Sequence, residues 1–278
     1  MSVSSDTVLE VGVNKVLALV RANWLTALSY RLETFFSFLG LFVAVVPLYF
    51  VSHALQPMMA TAIKAEAPEY FGFLIVGWVA FSFTNTAVGG LHGALSGEIA
   101  TGSFEALLGT PTPLVSLLAG MLGQAMSMNV IRATVILAFA CLFGLHIVWS
   151  AVPAGLLILL LIIVSYLPFG IFAAALVLGF RATGPFPSVI LVGSALLGGV
   201  YYPTQVIPSW LERLSVLVPL KYGLKSLRRS LLDGAPLTAS VQDLAVLIGL
   251  TVVGFAVGLS AFAWALRYSK RAGTLAQY

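Results

Sequence analysis

The chain has 278 residues, of which 60% are hydrophobic and only 9% are charged, 14 of them basic and 10 acidic. About a quarter of the residues are charged in a soluble globular domain, so this composition excludes one. A membrane-spanning helix needs about 20 mostly apolar residues, and six charge-free stretches are long enough to supply at least one each. These stretches are 34–63, 70–97, 106–131, 133–180, 182–211 and 244–266.

Residues 1–33 are predicted to form an amphipathic helix that lies on the membrane surface. Apolar side chains between Val13 and Trp24 recur at the spacing of one helix face, whereas Glu10 and Arg21 lie elsewhere around the helix. Acidic residues such as Glu10 also stand where a cleaved signal peptide would be basic, so we expect no such peptide. The helix either anchors the first span or provides a contact surface for a partner.

Six membrane-spanning helices are predicted, which makes the whole chain, 1–278, a single all-α transmembrane domain. The longest charge-free run holds two of these helices, because Gly, His, Trp, Ser and Pro interrupt it within 144–153. Six spans place both termini on one side, and the short loops and terminal flanks favour the cytoplasm. The predicted spans are 34–54, 71–92, 114–143, 152–179 and 186–201, which together occupy 34–201, then 243–266, with a cytoplasmic tail at 267–278.

The segment 96–113, between the second and third spans, is too polar to cross the membrane and carries two acids and no bases. Glu98 and Glu105 are seven residues apart and share a face if the segment is helical, while Phe104 and Leu108 give that helix an apolar face. An acidic segment on the cytoplasmic side runs against the basic bias expected there. Either something other than lipid head groups receives it, or it is a solvated turn.

Arg132 is the one charge predicted to lie in the interior of a span. An arginine at such a depth is costly unless it snorkels, pairs or faces water. All ten acids lie outside the predicted spans except Asp243, at the edge of the sixth, so we expect no carboxylate partner for Arg132 in this chain. The residue either snorkels to the outer leaflet or lines a translocation path, where it could meet a substrate phosphate.

The connection 202–242 is predicted to form short helices at the outer face. Three of its four prolines divide it into short pieces, and aromatic residues typical of a membrane interface stand near its start. The prolines are Pro203, Pro208 and Pro219, and the aromatic residues are Tyr201, Tyr202 and Trp210.

The part of this connection after Pro219 carries two parallel stripes. Leucines at helical spacing form one stripe, and cations about 100° around the helix form the other. The leucines are Leu220, Leu224, Leu227 and Leu231, and the cations are Lys221, Lys225 and Arg228, with Arg229 beside them. We expect the leucines to be buried and the cations to extend to the head groups, where they bind lipid phosphates or guide an anionic substrate.

Several kinds of site are not expected in this chain. A single cysteine, Cys141, offers no disulfide framework or metal-site spacing. None of the five lysines follows a glycine, so the Gly-Lys-Ser/Thr phosphate loop is absent. No predicted span holds a buried acid, which disfavours a proton-coupled carrier. We therefore expect no catalytic residue, metal or bound cofactor, although a sodium-coupled carrier stays open.

Two stretches of the sequence resemble the signatures of type-2 ABC exporter permeases, a group that contains polysaccharide, antibiotic and lipid exporters. From Glu98 to Pro111 the chain is similar to the pattern Glu-x-x-x-Gly-Thr-Leu-Glu-x-Leu-Leu-x-Thr-Pro, with Ser103 where Thr is usual. The residues that carry this likeness are Glu98, Thr101, Gly102, Phe104, Glu105, Leu108, Thr110 and Pro111. The second signature, a Pro followed nine residues later by Arg and six after that by Gly, is similar at Pro219, Arg228 and Gly234.

The resemblance implies a specific assembly. The segment from Glu98 to Pro111 and the N-terminal helix would contact a separate ATP-binding subunit, which would bind ATP and magnesium. The prolines after the fifth span would create short re-entrant helices at the outer face, and spans one, two and five would border the path. Two permeases, identical or closely homologous, and two ATPases would form the transporter, in contact with membrane lipids and not with nucleic acid.

The sequence therefore predicts the permease subunit of an ATP-driven exporter in the bacterial inner membrane. Its substrate would be a lipid-linked polysaccharide, a lipid or a hydrophobic drug, because a basic outer stripe favours an anionic group while 18 phenylalanines suit an apolar one. The alternative is a self-contained, ion-coupled secondary transporter.

Overall fold

The computed structural model describes residues 31–100, 114–180 and 185–271. Within these ranges the chain forms eight α-helices and no strand, which confirms the all-α prediction for that part. The helices are α1 Arg31–Ile63, α2 Tyr70–Ala100, α3 Leu114–Leu142, α4 Val152–Phe180, α5 Phe186–Leu197, α6 Ser209–Ser215, α7 Pro219–Asp233 and α8 Val241–Arg271. Short 3-10 helices lie at Trp149–Ala151, Thr204–Val206 and Leu237–Ser240.

Five stretches of the described residues are long and apolar enough to cross a membrane. They are Leu39–Ile63, Tyr70–Gly90, Leu122–Leu142, Trp149–Leu176 and Leu237–Ala265. They correspond to predicted spans one, two, three, four and six, although α1 continues nine residues beyond the predicted end at 54, through Pro57, to Ile63. Proline is tolerated inside a membrane helix when neighbouring groups satisfy the backbone that it frees.

The predicted fifth span, 186–201, is shorter in the structure. It is α5, Phe186–Leu197, which has 12 residues. At 1.5 Å per residue this helix is about 18 Å long, whereas the hydrocarbon core of a bilayer is about 30 Å thick. The chain turns immediately after α5, where Gly199 adopts a left-handed backbone conformation with a φ of +77°. Alone, α5 is too short to cross a membrane.

The helix α2 lies at the centre of the bundle. It packs against α4 and α3 along most of its length and against α1, α5 and α7 over shorter stretches. It is the most buried of the five membrane-length helices, and α1 is the least buried. A helix that is apolar all around favours such a central position.

The bundle is completed by the close approach of α4 and α8. Gly258 of α8 lies against the backbone of Pro168, where an added Cβ would be 2.8 Å from the proline carbonyl oxygen. Gly254, one turn earlier, faces the Pro168 ring. Small residues four apart allow two membrane helices to approach closely.

Candidate functional site

The short helix α7 is inserted between the long helices rather than lying on their surface. It packs against α4, α8 and α2, and Gly223 on one side of it leaves room for Ile162 of α4. Pro219 opens the helix at a position that needs no backbone donor. Gly234 ends it in a left-handed conformation with a φ of +68°. Two members of the Pro, Arg and Gly signature are thus the two ends of α7.

Arg228, the third member of that signature, is the centre of a buried polar cluster. Its side chain is 1% exposed. Nε donates to the carbonyl of Phe73 at 3.1 Å, and Nη2 donates to the carbonyls of Gly199 at 2.9 Å and Val200 at 3.1 Å. Nη1 forms an ion pair with Oε2 of Glu66 at 3.0 Å. The guanidinium carbon lies 3.3 Å from the centroid of the Phe73 ring, in a cation–π contact.

This environment keeps Arg228 charged. Burial lowers the pKa of Arg228 to about 10, and the carboxylate of Glu66 opposes that shift. The guanidinium is therefore protonated at neutral pH. Removing one partner of a buried ion pair typically costs about 3–5 kcal/mol, because the other charge is left uncompensated.

The first two turns of α2 are shaped to receive this cluster. An added Cβ at Gly77 would lie 2.6 Å from Nη2 of Arg228 and would overlap the carbonyl oxygen of Val200. One turn before Phe73, the hydroxyl of Tyr70 donates to the carbonyl of Tyr201 at 2.7 Å. Together with Arg228, these contacts attach the turn that follows α5 to the beginning of α2.

The prediction that all cations of the basic stripe extend to the head groups is wrong for Arg228. The 64–69 connection covers this position and supplies a carboxylate, while α2 and the turn after α5 supply carbonyl oxygens. The leucine stripe is confirmed as buried: Leu220, Leu224 and Leu227 are at most 2% exposed, and Leu231 packs against the same core.

The other cations after Pro219 are half-buried and contact neighbouring groups. Lys221 donates to the Ser215 hydroxyl at 2.8 Å, and Lys225 forms an ion pair with Asp243 at 3.0 Å. Arg229 Nε donates to the carbonyl of Ala65 at 3.0 Å.

A polar cavity of about 140 Å³ lies beside Arg228 and its neighbours. Glu66 and Glu212 line it together with Lys221, Lys225 and Gln205. Its wall thus contains both acidic and basic side chains, which come from α6, α7 and the two connections 64–69 and 198–208. The cavity is large enough for a few water molecules or one small polar group.

The remaining predicted residues of the 202–242 connection take varied positions. Pro203 is buried and Tyr202 half-buried, whereas Pro208 is exposed. Tyr201 and Trp210 are 40% and 64% exposed, as interfacial aromatic residues are expected to be.

Arg132 lies on an exposed face of α3. It is the eleventh residue of the 21-residue span Leu122–Leu142, and no hydrogen bond or ion pair joins it to another residue in the described ranges. One turn earlier, Asn129 donates to the Ser82 hydroxyl of α2 at 3.1 Å. Among the described residues, the span therefore carries a polar contact on its packed side and a charge without a partner on its exposed side.

Most of the predicted ATPase-contacting segment lies outside the described residues. Glu98 belongs to the last turn of α2. The positions Thr101, Gly102, Phe104, Glu105, Leu108, Thr110 and Pro111 are outside the description, as is the predicted N-terminal helix apart from residues 31–33.

Sequence reasoning missed Glu66, Phe73 and Gly77, although they complete the Arg228 cluster. The one available signal was that Glu66 falls in a short connection predicted to lie on the same side of the membrane as the basic stripe. In the described parts of the chain, no group of three or more His, Cys, Asp and Glu side chains is arranged to hold a metal ion.

Comparison with known protein families and with individual proteins identifies related membrane permeases. The family described as ABC-2 type transporter matches residues 14–232. The Nodulation protein J of Sinorhizobium fredii is 24% identical over 171 residues, which are 61% of this chain and 65% of that protein. The Inner membrane transport permease YadH of Escherichia coli is 24% identical over 182 residues, 65% of this chain and 71% of that protein.

A third relative, the Linearmycin resistance permease protein LnrN of Bacillus subtilis, is 22% identical over 120 residues, 43% of this chain. The chain thus spans 31% of the length of LnrN and 65% of the length of Nodulation protein J. The family match covers more than half of the chain and includes both stretches that resemble the permease signatures as far as residue 232. Taken with the five membrane-length helices of the described residues, it shows that this chain belongs to the ABC-2 type transporter family, as a multi-pass membrane permease.

Proposed function

We propose that this chain is the permease subunit of an ATP-driven exporter, and that it moves a lipid-linked polysaccharide, a lipid or a hydrophobic drug outward. The family match over residues 14–232 carries this proposal, because the family implies a separate ABC ATPase as partner. That subunit would bind ATP and magnesium. Relatives named as permeases of resistance and of the inner membrane support a bacterial inner-membrane location.

The proposed topology has six crossings with both termini in the cytoplasm, so the 64–69 connection faces outward. The fifth crossing would combine α5 with the re-entrant segment that follows it. Non-helical backbone at membrane depth is tolerated only where it is buried in protein or lines a cavity. The broken stretch after α5 meets this condition, since Arg228 and Tyr70 donate to three of its carbonyls.

The coupling surface in this proposal is the segment from Glu98 to Pro111, together with the N-terminal helix. Its support is that α2 continues without a break from the Arg228 cluster to Ala100, directly before 101–113. ATP binding that displaces this segment would favour one packing of the bundle over another, as any coupling requires.

Arg132 is proposed to line the translocation path. It lies ten residues before the end of its span at Leu142, about 15 Å along the helix. Snorkelling serves residues near helix ends, so a mid-span arginine on an exposed face needs water, a substrate or a partner.

A second permease copy is the proposed partner of the exposed face of α1, where Phe36, Val43 and Phe50 are each more than half exposed.

Co-reconstitution tests the proposed function. The chain is expressed with its candidate ATPase, purified by a tag on the permease, and placed in lipid vesicles. The expected result is that the ATPase co-purifies and that substrate moves only when ATP and magnesium are present. Transport by this chain alone, driven by a sodium or proton gradient, would refute the proposal and establish the secondary-transporter alternative.

A further inference from the structure

The helix α2 connects two regions that the proposed function separates across the membrane. It runs without interruption from Tyr70 to Ala100, 31 residues, or about 46 Å at 1.5 Å per residue. Its first turns hold the Arg228 cluster, and its last turn leads into the segment proposed to contact the ATPase. Because the helix is continuous, a displacement of one end also displaces the other end.

At the Arg228 end, four separate pieces of the chain meet at one side chain. Arg228 itself belongs to α7, Phe73 belongs to α2, and the carbonyls of Gly199 and Val200 follow α5. Glu66 adds the connection between α1 and α2. Because the guanidinium group is planar and its donors have fixed directions, these contacts restrain orientation as well as distance.

The helix α7 carries two buried hydroxyl groups one turn apart. Ser226 and Ser230 lie one turn apart on α7, and in the described structure both hydroxyls are buried without a hydrogen-bond partner.

The polar cavity depends directly on where α7 stands. Lys221 and Lys225 on α7 line it together with Glu66, while Gln205 and Glu212 come from the re-entrant segment. A shift of α7 changes the distances between these walls.

We propose that Arg228 and Glu66 are positioning residues that carry motion of α2 to α7, so that the polar cavity opens in step with the ATPase end of α2. This inference rests on the proposed function. It assigns Arg228 a role in coupling beyond holding the fold together. In this proposal α7 moves together with α2, and it slides against α4 and α8.

The test uses the permease and its ATPase together in lipid nanodiscs, where reagents reach both faces. Gln205, exposed at the cavity, is replaced by cysteine in a Cys141→Ser background. The rate of labelling by a hydrophilic maleimide is then compared without nucleotide and with a non-hydrolysable ATP analogue plus magnesium. We expect the two rates to differ by about tenfold, the change produced by about 1.4 kcal/mol in an opening equilibrium.

Glu66→Gln then removes the negative charge of the Arg228–Glu66 ion pair but leaves an acceptor oxygen for Arg228. We expect this variant to assemble with the ATPase and to be labelled at one rate in both nucleotide states. Asp243→Asn is the matched control, because it breaks the ion pair between Lys225 of α7 and Asp243 of α8, and it should keep the nucleotide dependence. Arg228→Lys, which keeps the charge but loses the fork of donors, should behave like Glu66→Gln.

Two results would overturn the inference. One is a nucleotide dependence that persists in an assembled Glu66→Gln complex, and the other is equal labelling in both states of the Gln205→Cys parent while ATP-driven transport is intact. If the parent complex instead lacks ATP-driven transport in vesicles, the proposed function itself fails, and the inference fails with it.

Discussion

Replacing Gly77 by alanine places a methyl group where Arg228 reaches the turn after α5. The new Cβ would lie 2.6 Å from Nη2 of Arg228 and would overlap the Val200 carbonyl oxygen, so the arginine or the backbone must move. Overpacking costs about 1–3 kcal/mol, and a lost hydrogen bond to a charged group costs about 1.5–3 kcal/mol. The better helix propensity of alanine offsets about 1 kcal/mol of this loss of stability. The net loss of stability is about 1.5–5 kcal/mol.

This loss is measurable as a change in Tm of the purified permease in detergent, followed by tryptophan fluorescence. For a chain of this size it corresponds to a decrease of about 3–20 °C. Gly93→Ala is the matched control, because Gly93 lies on the same helix and an added Cβ there meets nothing within 4 Å. If both variants unfold at the wild-type temperature, Gly77 does not accommodate Arg228 and the description of the buried cluster is incorrect.

Three further predictions concern the other proposed regions. Glu105→Arg should reduce transport and substrate-linked ATPase activity without reducing membrane insertion. Glu69→Arg, which changes an exposed acid in the 64–69 connection, should leave transport unchanged. Equal transport rates in the two variants would refute the coupling role of Glu105. Arg132→Gln should slow transport in vesicles while Arg132→Lys retains most of it, and a wild-type rate and affinity in Arg132→Gln would mean that the residue only snorkels. Gly258→Ala should lower Tm by separating α4 from α8, with a cost of about 1–3 kcal/mol, whereas Gly249→Ala, where an added Cβ meets nothing within 4 Å, should leave Tm close to that of the wild type.

The membrane-length helices could be predicted because their signal is local. The predicted third and fourth spans, 114–143 and 152–179, differ by one residue each from α3 and α4. Hydropathy over a window of about 20 residues depends only on the residues inside it. The same measure failed at α5, where an apolar stretch continues past the helix end, because hydropathy does not register the turn at Gly199.

The sequence by itself determined the all-helical membrane class, the positions of five long spans and the leucine stripe of α7, since each depends on composition or on periodicity along one helix. Only the tertiary structure decided what Arg228 does. Its partners Glu66 and Phe73 lie 162 and 155 residues away along the chain. A periodic pattern gives the angle of a side chain around its own helix, and it cannot tell which distant segment covers that side. A cation that local pattern places toward the head groups is therefore buried, because three other segments supply its carboxylate, its carbonyl oxygens and its aromatic ring.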